Sequence, residues 1–576
     1  MESKFYEEAD GLRTLRPGAE DPSILWFRDD LHNPYPTTPL AMTTIQSGHD
    51  WGIACAAEEA QLPGSRGHIS KSYGGRVYRG FSLIQDPAEI GRRAPKFGAF
   101  VTEAMGRWDT FYGDLIGEAK ARTLANVKAP LKEMTLAELA EQVRECKRAI
   151  DRCWYIHFTT MLVAASNYMM GEKFAKEHGF DEDRYAQMLK GSETMGLATD
   201  RGQYQLAEAA LAEPAMVELL SSDLPTADIL AALDTTEAGR TWSKKLREYL
   251  DIYGFRLCAA VLDLNFPTWY EDPSSVVKNV QQLLPKLRSG VTFDGERAET
   301  IRLRDEAITA FRATLSTEDA ATFDASLPRW QKAYAHNEDH WYYLEQVAYT
   351  GLRWVALEAG ERMVSLGILD DREDVFQLNY TELEETLARL AEDAESGRHI
   401  YSTVVRPLVT DRKRQYADAE AEKGPDFVGV LPDAIHDPLA VKIYGLSGKI
   451  LARARGQREG GSDGVVDMLE GFPGSPGVVE GPATLVWDYK GFAKIEMGAI
   501  MVCQFTSPAW TSVFPKLKGV VTDSGGMLTH AAIAAREYGV PAVVGTWIAT
   551  SQIKDGDIIR IDGNQGTVEI LQRAAV

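Results

Sequence analysis

The sequence has little cysteine, no long apolar run and no excess of positive charge, and each shortage excludes something. Its five cysteines, Cys55, Cys146, Cys153, Cys258 and Cys503, are scattered and odd in number. None forms a CxxC pair, so neither a disulfide framework nor a cysteine zinc site is indicated. Cys146 and Cys153 lie one heptad apart on an apolar stripe, a common place for buried free thiols. No apolar run approaches the roughly 20 residues that span a bilayer. The first residues, MESKFYEEADG, are acidic and polar and do not read as a signal peptide, so a reducing cytoplasm is the expected compartment. With 62 Lys and Arg against 84 Asp and Glu, the net charge is −22. That balance argues against nucleic acid or an anionic membrane as the main partner, while leaving room for a local basic pocket. Neither a Gly-x-x-x-x-Gly-Lys-Ser/Thr loop nor a repeat of solenoid period is present.

What is there reads as a multidomain chain of 576 residues in three zones and a connection. Residues 1–85 are rich in Pro, Gly and aromatics, with strand-like pieces such as GGRVYRGFSLI. Residues 86–440 carry helical periodicity. Thr135 and Glu138 form a capping box before an apolar stripe through Leu139, Val143, Cys146, Ile150, Trp154, His157 and Met161. A second box, Thr381 with Glu384, is expected to open the helix ELEETLARLAEDAES. Residues 441–470 include ARARGQREGGSDG, whose charge and glycine suit a flexible hinge. Residues 471–576 alternate short apolar runs (ATLVWD, AIMVC, GVVTD, AVVGT, DIIRID, TVEIL) with turns, and contain one clear helix, HAAIAAREYG. Gly539 and Pro541 are its stop signals. The fold class expected is a mostly α-helical domain followed by a C-terminal α/β domain able to move.

The run from Val520 to His530 passes from a strand through Gly525-Gly526 into the start of that helix. Free N–H groups and the positive dipole end favour an anion there. The glycines allow close approach of a phosphate, and Thr529 offers a hydroxyl. An imidazole so placed can attack a phosphoryl group and hold it among donors. Taken alone, His530 reads more readily as a capping or core-edge histidine.

The longer text supplies the context. SPGVVEGPATLV at 475–486, VVTDSGGMLTHAAIAAREYGVPAVVG at 520–545 and GDIIRIDG at 556–563 together resemble the phosphohistidine swivelling domain of enzymes that use phosphoenolpyruvate, among them phosphoenolpyruvate synthase and pyruvate phosphate dikinase. The resemblance implies that His530 carries phosphate, with Gly525, Gly526 and Thr529 around it. Only 46 residues follow His530, too few for the roughly 250 of a pyruvate-handling barrel. The chain is therefore expected to be charged by a separate ATP-grasp subunit holding ATP and Mg2+.

The remainder more weakly resembles the acceptor-binding domain of rifampicin phosphotransferases and of the phosphohistidine subunit of phenol-phosphorylating synthases. The matching pieces are Trp26–His32 with Pro34, Pro36 and Pro39, then Tyr253–Arg256, Pro267–Pro273, Asn337–His340 and Asp374–Leu378. Relatives often read Arg-Glu where this chain has Asn337-Glu338. A helix from Asn337 would place Glu338, Tyr342, Glu345, Tyr349 and Arg353 on one face, and His340, Tyr343, Val347, Thr350 and Trp354 on its neighbour. On this reading Glu338 or His340 removes a hydroxyl proton, and Trp341, Tyr342, Tyr343 and His157 bind an aromatic ring. The same face also reads as solvated polar surface. His157 carries two readings, base or satisfied core histidine, and Arg256 and Arg353 likewise, phosphate clamp or structural ion pair. The resemblance implies phosphoryl transfer to a phenolic hydroxyl, of phenol or 4-cresol. The alternatives are an antibiotic-type acceptor or a second protein.

Overall fold

The computed structural model describes residue 15 and residues 24–574, except 223, 259–261, 423, 433–440, 442, 447, 459–465, 488, 507 and 528. The chain folds as an N-terminal sheet, a helical body and a C-terminal α/β unit docked on that body.

The first sheet has four antiparallel strands: β1 (Trp26–Arg28), β2 (Ser65–Tyr73), β3 (Arg76–Leu83) and β4 (Phe427–Val428), in the order β2-β3-β1-β4. The last of these comes from the far end of the helical body, which closes over the N-terminal segment. Between β1 and β2 runs a helix that the sequence pattern did not suggest, α1 (Ser47–Glu59). Its glycines are the reason. A Cβ on Gly52 would lie 2.6 Å from the backbone of Trp154, and one on Gly48 would lie 2.7 Å from Asp151. Those residues lower helix propensity but let α1 press against the longest helix, α2 (Leu136–Glu177).

The α2 helix begins at the expected capping box, with Glu138 N–H donating to Thr135 Oγ1 at 3.3 Å and Thr135 N–H donating to Glu138 Oε2 at 2.7 Å. Its apolar stripe forms the main core with Leu344, Leu352, Val355 and Phe376. Cys146 and Cys153 are buried free thiols within that core. A second helical cluster holds α3 (Met195–Leu211) against α4 (Glu237–Tyr253) and Trp269. Farther along come α5 (Thr317–Trp341), a π-helical turn over Tyr342–Gln346, and α6 (Val347–Ser365). A further helix spans Tyr380–Glu392, and its cap corrects an expectation. Asn379, not Thr381, is the N-cap, paired with Glu382, so Thr381 and Glu384 sit inside the helix. The supposed hinge is also partly helical. Gly448–Arg458 is a helix that takes in the ARARGQR of the charged segment, and the Gly-rich remainder lies outside the described residues.

The C-terminal unit is an eight-stranded sheet: β5 (Met468–Glu470), β6 (Phe472–Ser475), β7 (Val478–Val486), β8 (Ala499–Cys503), β9 (Leu517–Thr522), β10 (Ala542–Val544), β11 (Ile558–Asp562) and β12 (Thr567–Gln572). Its order is β5-β12-β11-β7-β8-β9-β10-β6, with β7 through β10 parallel. The six apolar runs noted in the sequence are β7 to β12. The helix α7 (His530–Tyr538) crosses from β9 to β10 and ends at Gly539, whose φ of 64° is the left-handed cap that glycine adopts without strain. Among the described residues no helix is long and apolar enough to cross a membrane.

Candidate functional site

His530 is the first residue of α7, and Thr529 is its N-cap. The preceding loop is held tightly. Gly525 has φ +103°, and a Cβ there would lie 2.9 Å from Thr529 Oγ1. Its carbonyl lies 2.4 Å from where a Cβ of Gly545 would stand and 2.7 Å from one on Gly445. Three chain segments therefore meet at one peptide, and only residues without a Cβ fit there. The hydroxyl of Thr529 donates to Gly526 O at 2.7 Å, and Gly526 N–H donates to Ile443 O at 3.1 Å. In this docked arrangement those two groups hold the loop and the connecting segment rather than an anion. The first N–H groups of α7 precede the helix's own ladder, which starts with Ile533 bonding to Thr529 O. The imidazole Nδ1 lies 3.0 Å from Thr506 Oγ1, and Phe514 stands edge-on at 5.8 Å.

Docking leaves His530 only partly exposed against the helical body. Ile533 inserts among Tyr168, Tyr185, Trp330 and Tyr334. Tyr334 donates to Glu537 Oε1 at 2.7 Å, Tyr538 donates to Asp200 Oδ2 at 3.0 Å, and Lys190 donates to the Arg536 carbonyl. On the other flank Tyr35, Phe266 and Trp341 pack on the core formed by Phe505, Trp510 and Phe514. Burial, with the Arg256 guanidinium adding to it, pushes the His530 imidazole down to about 3. At neutral pH it is therefore unprotonated, the form in which its nitrogen is a nucleophile.

Arg256 follows α4 and is itself buried, 4% exposed. Its Nη2 donates to Thr199 Oγ1 at 2.8 Å, and its plane lies over Tyr342 at 4.7 Å and Trp269 at 5.7 Å. Among the described residues its Nε has no hydrogen-bond partner. Among the described residues no carboxylate stands within 4.0 Å of it, although Asp200 and Asp339 lie within its field. A buried guanidinium without a paired carboxylate is costly, and an anion brought to it would offset that cost. Burial pushes Asp200 and Asp339 up to about 6 each, so either can exchange a proton near neutrality. Asp339 accepts from Met195 N–H at 2.5 Å. Sequence reading missed both carboxylates as site members. The one available signal was that Asp339 lies inside the Asn337–His340 motif.

The other predicted residues go to different places. Arg353 is held by Glu271 through contacts of 3.0–3.2 Å and by the Leu264 carbonyl at 2.6 Å, and is only 2% exposed. Of its two readings, the ion pair is the one formed in this structure. Tyr342 is also buried, with its hydroxyl donating to Ile252 O at 2.5 Å. Tyr343 stacks edge-on against Tyr342 at 5.0 Å and carries Lys120 over its ring at 4.9 Å. Trp341 borders the docked C-terminal unit. The side chain of Glu338 lies outside the described residues.

His340 and His157 meet instead in a histidine-rich core. The π-helical turn inserts one residue into the turn after α5, so His340 and Glu345, read as neighbours on different faces, come together. His157 Nδ1 lies 3.0 Å from Glu345 Oε1 but not in line for a hydrogen bond, and its ring is 4.5 Å from that of His340. Burial pushes Glu345 up to about 7, with His340 and His32 opposing it. It pushes His157 down to about 3, with a contribution from His32, and His340 down to about 4, with one from His157. A second π-helical turn, Met42–Gln46, precedes α1 and presents His49 and Asp50 to the neighbouring His68 and Arg79.

Known proteins share both halves of this arrangement. Residues 495–566 match the family described as the mobile domain of PEP-utilising enzymes, and residues 155–338 match the rifampicin phosphotransferase fourth domain. The first span contains His530, and the second contains His157, Asp200 and Arg256. The chain is 28% identical to the chondramide synthase cmdD of Chondromyces crocatus over 98% of its own length and 14% of that protein. It is 30% identical to the uncharacterized phosphotransferase YvkC of Bacillus subtilis over 68% of this chain and 44% of the relative. For the rifampicin phosphotransferase of Streptomyces sviceus the identity is 29%, over 66% and 39%. The chain thus spans less than half the length of these curated relatives. In its two principal parts it is similar to the mobile domain of PEP-utilising enzymes and to a domain of rifampicin phosphotransferases.

Proposed function

We propose that the chain is a phosphotransferase component in which His530 receives a phosphoryl group and passes it to a hydroxyl bound in the helical body. The observation that carries this reading is the buried, carboxylate-free Arg256 facing a neutral His530 across the docked interface. Nδ1 of His530 lies 3.0 Å from Thr506 Oγ1, and in this reading Nε2 bears the phosphorus. In the transfer the Nε2–P bond breaks as the acceptor's O–P bond forms. Arg256 stabilises the charge on the phosphoryl oxygens, and the acceptor's proton passes to a carboxylate. Asp339, with its value near 6, is the favoured base. The donor in this reading is ATP with Mg2+, held by a separate ATP-grasp partner. His530 would be charged with the unit undocked, since docking leaves it only partly exposed.

The acceptor reading has two forms. The resemblance of the N-terminal and helical motifs supports phenol or 4-cresol, and similarity to proteins named rifampicin phosphotransferases supports a larger hydroxylated antibiotic equally well. The chain would be incubated with an ATP-grasp partner, Mg2+, ATP labelled at the γ-phosphate, and a panel of phenols and rifamycins. Wild type should form an acid-labile phosphoenzyme and one class of phosphorylated product, and His530→Ala should form neither. Product formation by His530→Ala would overturn the scheme. Transfer only to a second protein would replace both acceptor readings.

A further inference from the structure

Two histidine–carboxylate clusters lie on either side of the Trp154 and Phe158 rings, His49 with Asp50 and His68, and His157 with His340 and Glu345. They differ in what neutralises them. In the first, Arg79 Nη1 donates to His49 Nδ1 at 2.8 Å, and Asp50 accepts from Ser70 N–H at 2.6 Å and from its hydroxyl at 2.8 Å. A guanidinium already supplies the positive charge, and the acceptor atoms are engaged. That cluster is a closed hydrogen-bonded network.

The second cluster has no such cation. Among the described residues no Lys or Arg comes within 4.0 Å of Glu345, whose one ion-pair contact is His157. His340 donates from Nδ1 to the carbonyl of His336 at 2.7 Å, the outer contact that fixes the tautomer and turns the Nε2 lone pair inward. His157 is 8% exposed, and its buried Nδ1 has no hydrogen-bond partner although Glu345 Oε1 lies 3.0 Å away. One donor atom from each of the three residues falls within 4.8 Å of the others. A first-row ion bound at about 2.0–2.2 Å to nitrogen and carboxylate oxygen holds such donors at roughly 3.0–3.5 Å from each other, so a small contraction closes the site.

We infer that His157, His340 and Glu345 bind one divalent transition-metal ion of the zinc class, bridging α2 to the π-helical turn after α5. Two imidazoles and a carboxylate suit Zn2+ or Co2+ better than Mg2+ or Ca2+, which prefer all-oxygen sites. Because the ion would tie the π-turn to α2, it would fix the register of the segment that carries Asp339 and Tyr342. The inference stands apart from phosphoryl transfer, because none of its ligands touches His530 or Arg256.

The test uses the full chain, stripped with chelator and titrated with Zn2+ and Co2+. The expected result is one ion per chain and a Co2+ ligand-field spectrum without a thiolate charge-transfer band. His340→Gln and Glu345→Gln should each weaken binding at least about a hundredfold. His68→Gln and His530→Ala should leave it unchanged. No saturable uptake by wild type, a thiolate band, or equal binding by His340→Gln and Glu345→Gln would each overturn the inference. Should either variant fail to fold, the stoichiometry and spectrum of wild type still decide it.

Discussion

Arg256 and His530 face one another across the docked interface, and burial together with the guanidinium holds the imidazole neutral. Among the described residues the arginine's Nε has no hydrogen-bond partner and no carboxylate stands near it, and the proposed anion site rests on these two facts. Arg256→Gln should therefore leave charging of His530 intact and lower transfer to the acceptor by about 10²–10³-fold, the usual loss for one charge-stabilising donor. Single-turnover transfer from the isolated phosphoenzyme measures it. Arg256→Met should be at least as stable as wild type in urea, because an unpaired buried charge is removed. A structural arginine would give the opposite.

Arg353 differs in kind. Its guanidinium is locked on Glu271 and the Leu264 carbonyl. Arg353→Ala should destabilise the chain by about 3–5 kcal/mol, since it strands a partner carboxylate. Transfer per folded molecule should be unchanged.

Docking depends on Ile533 in its aromatic socket of Tyr168, Tyr185, Trp330 and Tyr334. Ile533→Asp should keep the C-terminal unit folded and chargeable, and should abolish acceptor phosphorylation. Limited proteolysis of the connection and the two half-reactions, measured separately, check this. Loss of charging as well would point to misfolding of α7.

Acid should weaken this protein through its buried histidines. His336 has both ring nitrogens without hydrogen-bond partners, and burial, then His340, holds it well below its usual range. The unfolded chain then binds the proton first, so stability is lost as pH falls below the unfolded value of about 6.5. The raised carboxylates Asp200 and Asp339 act with the opposite sign, contributing stability that is lost as pH rises from about 4 to about 6. Comparing variants isolates the histidine. His336→Leu should be less acid-sensitive than wild type by about 1.4 kcal/mol between pH 8 and pH 5.5, read from denaturant midpoints.

The π-turn can be removed by one deletion. Deleting Tyr343 should give plain α-helix in which His340 and Glu345 stand four residues apart and still share a face. The Glu345 carboxyl, pushed up to about 7 by burial, should then keep its raised titration. Carboxyl-stretch infrared difference spectra against Glu345→Gln measure this. A return to the ordinary carboxylate range would show that the cluster needs the π-turn itself and not only the shared face.

Much of the C-terminal unit was legible in the sequence. Its six apolar runs, Gly525-Gly526, and the Gly539 stop signal are local features, and local chemistry is what sequence patterns report. The capping box at Thr135 was legible for the same reason. Helix α1 was not, because Gly48 and Gly52 serve a close approach to α2 and weaken the helical pattern that would have revealed it. Thr381 misled because the sequence offers two cap pairs two residues apart, and packing decides between them.

By itself, the sequence determined that a histidine follows two glycines at the head of a helix, in a small α/β unit beside a larger helical body. Only the tertiary structure decided which residues surround it. It assigned Arg353 to an ion pair and, among the described residues, gave Arg256 none, because such partners come from distant segments. It brought His157, His340 and Glu345 together through one extra residue in a helical turn, a change of phase that a regular period of 3.6 cannot express.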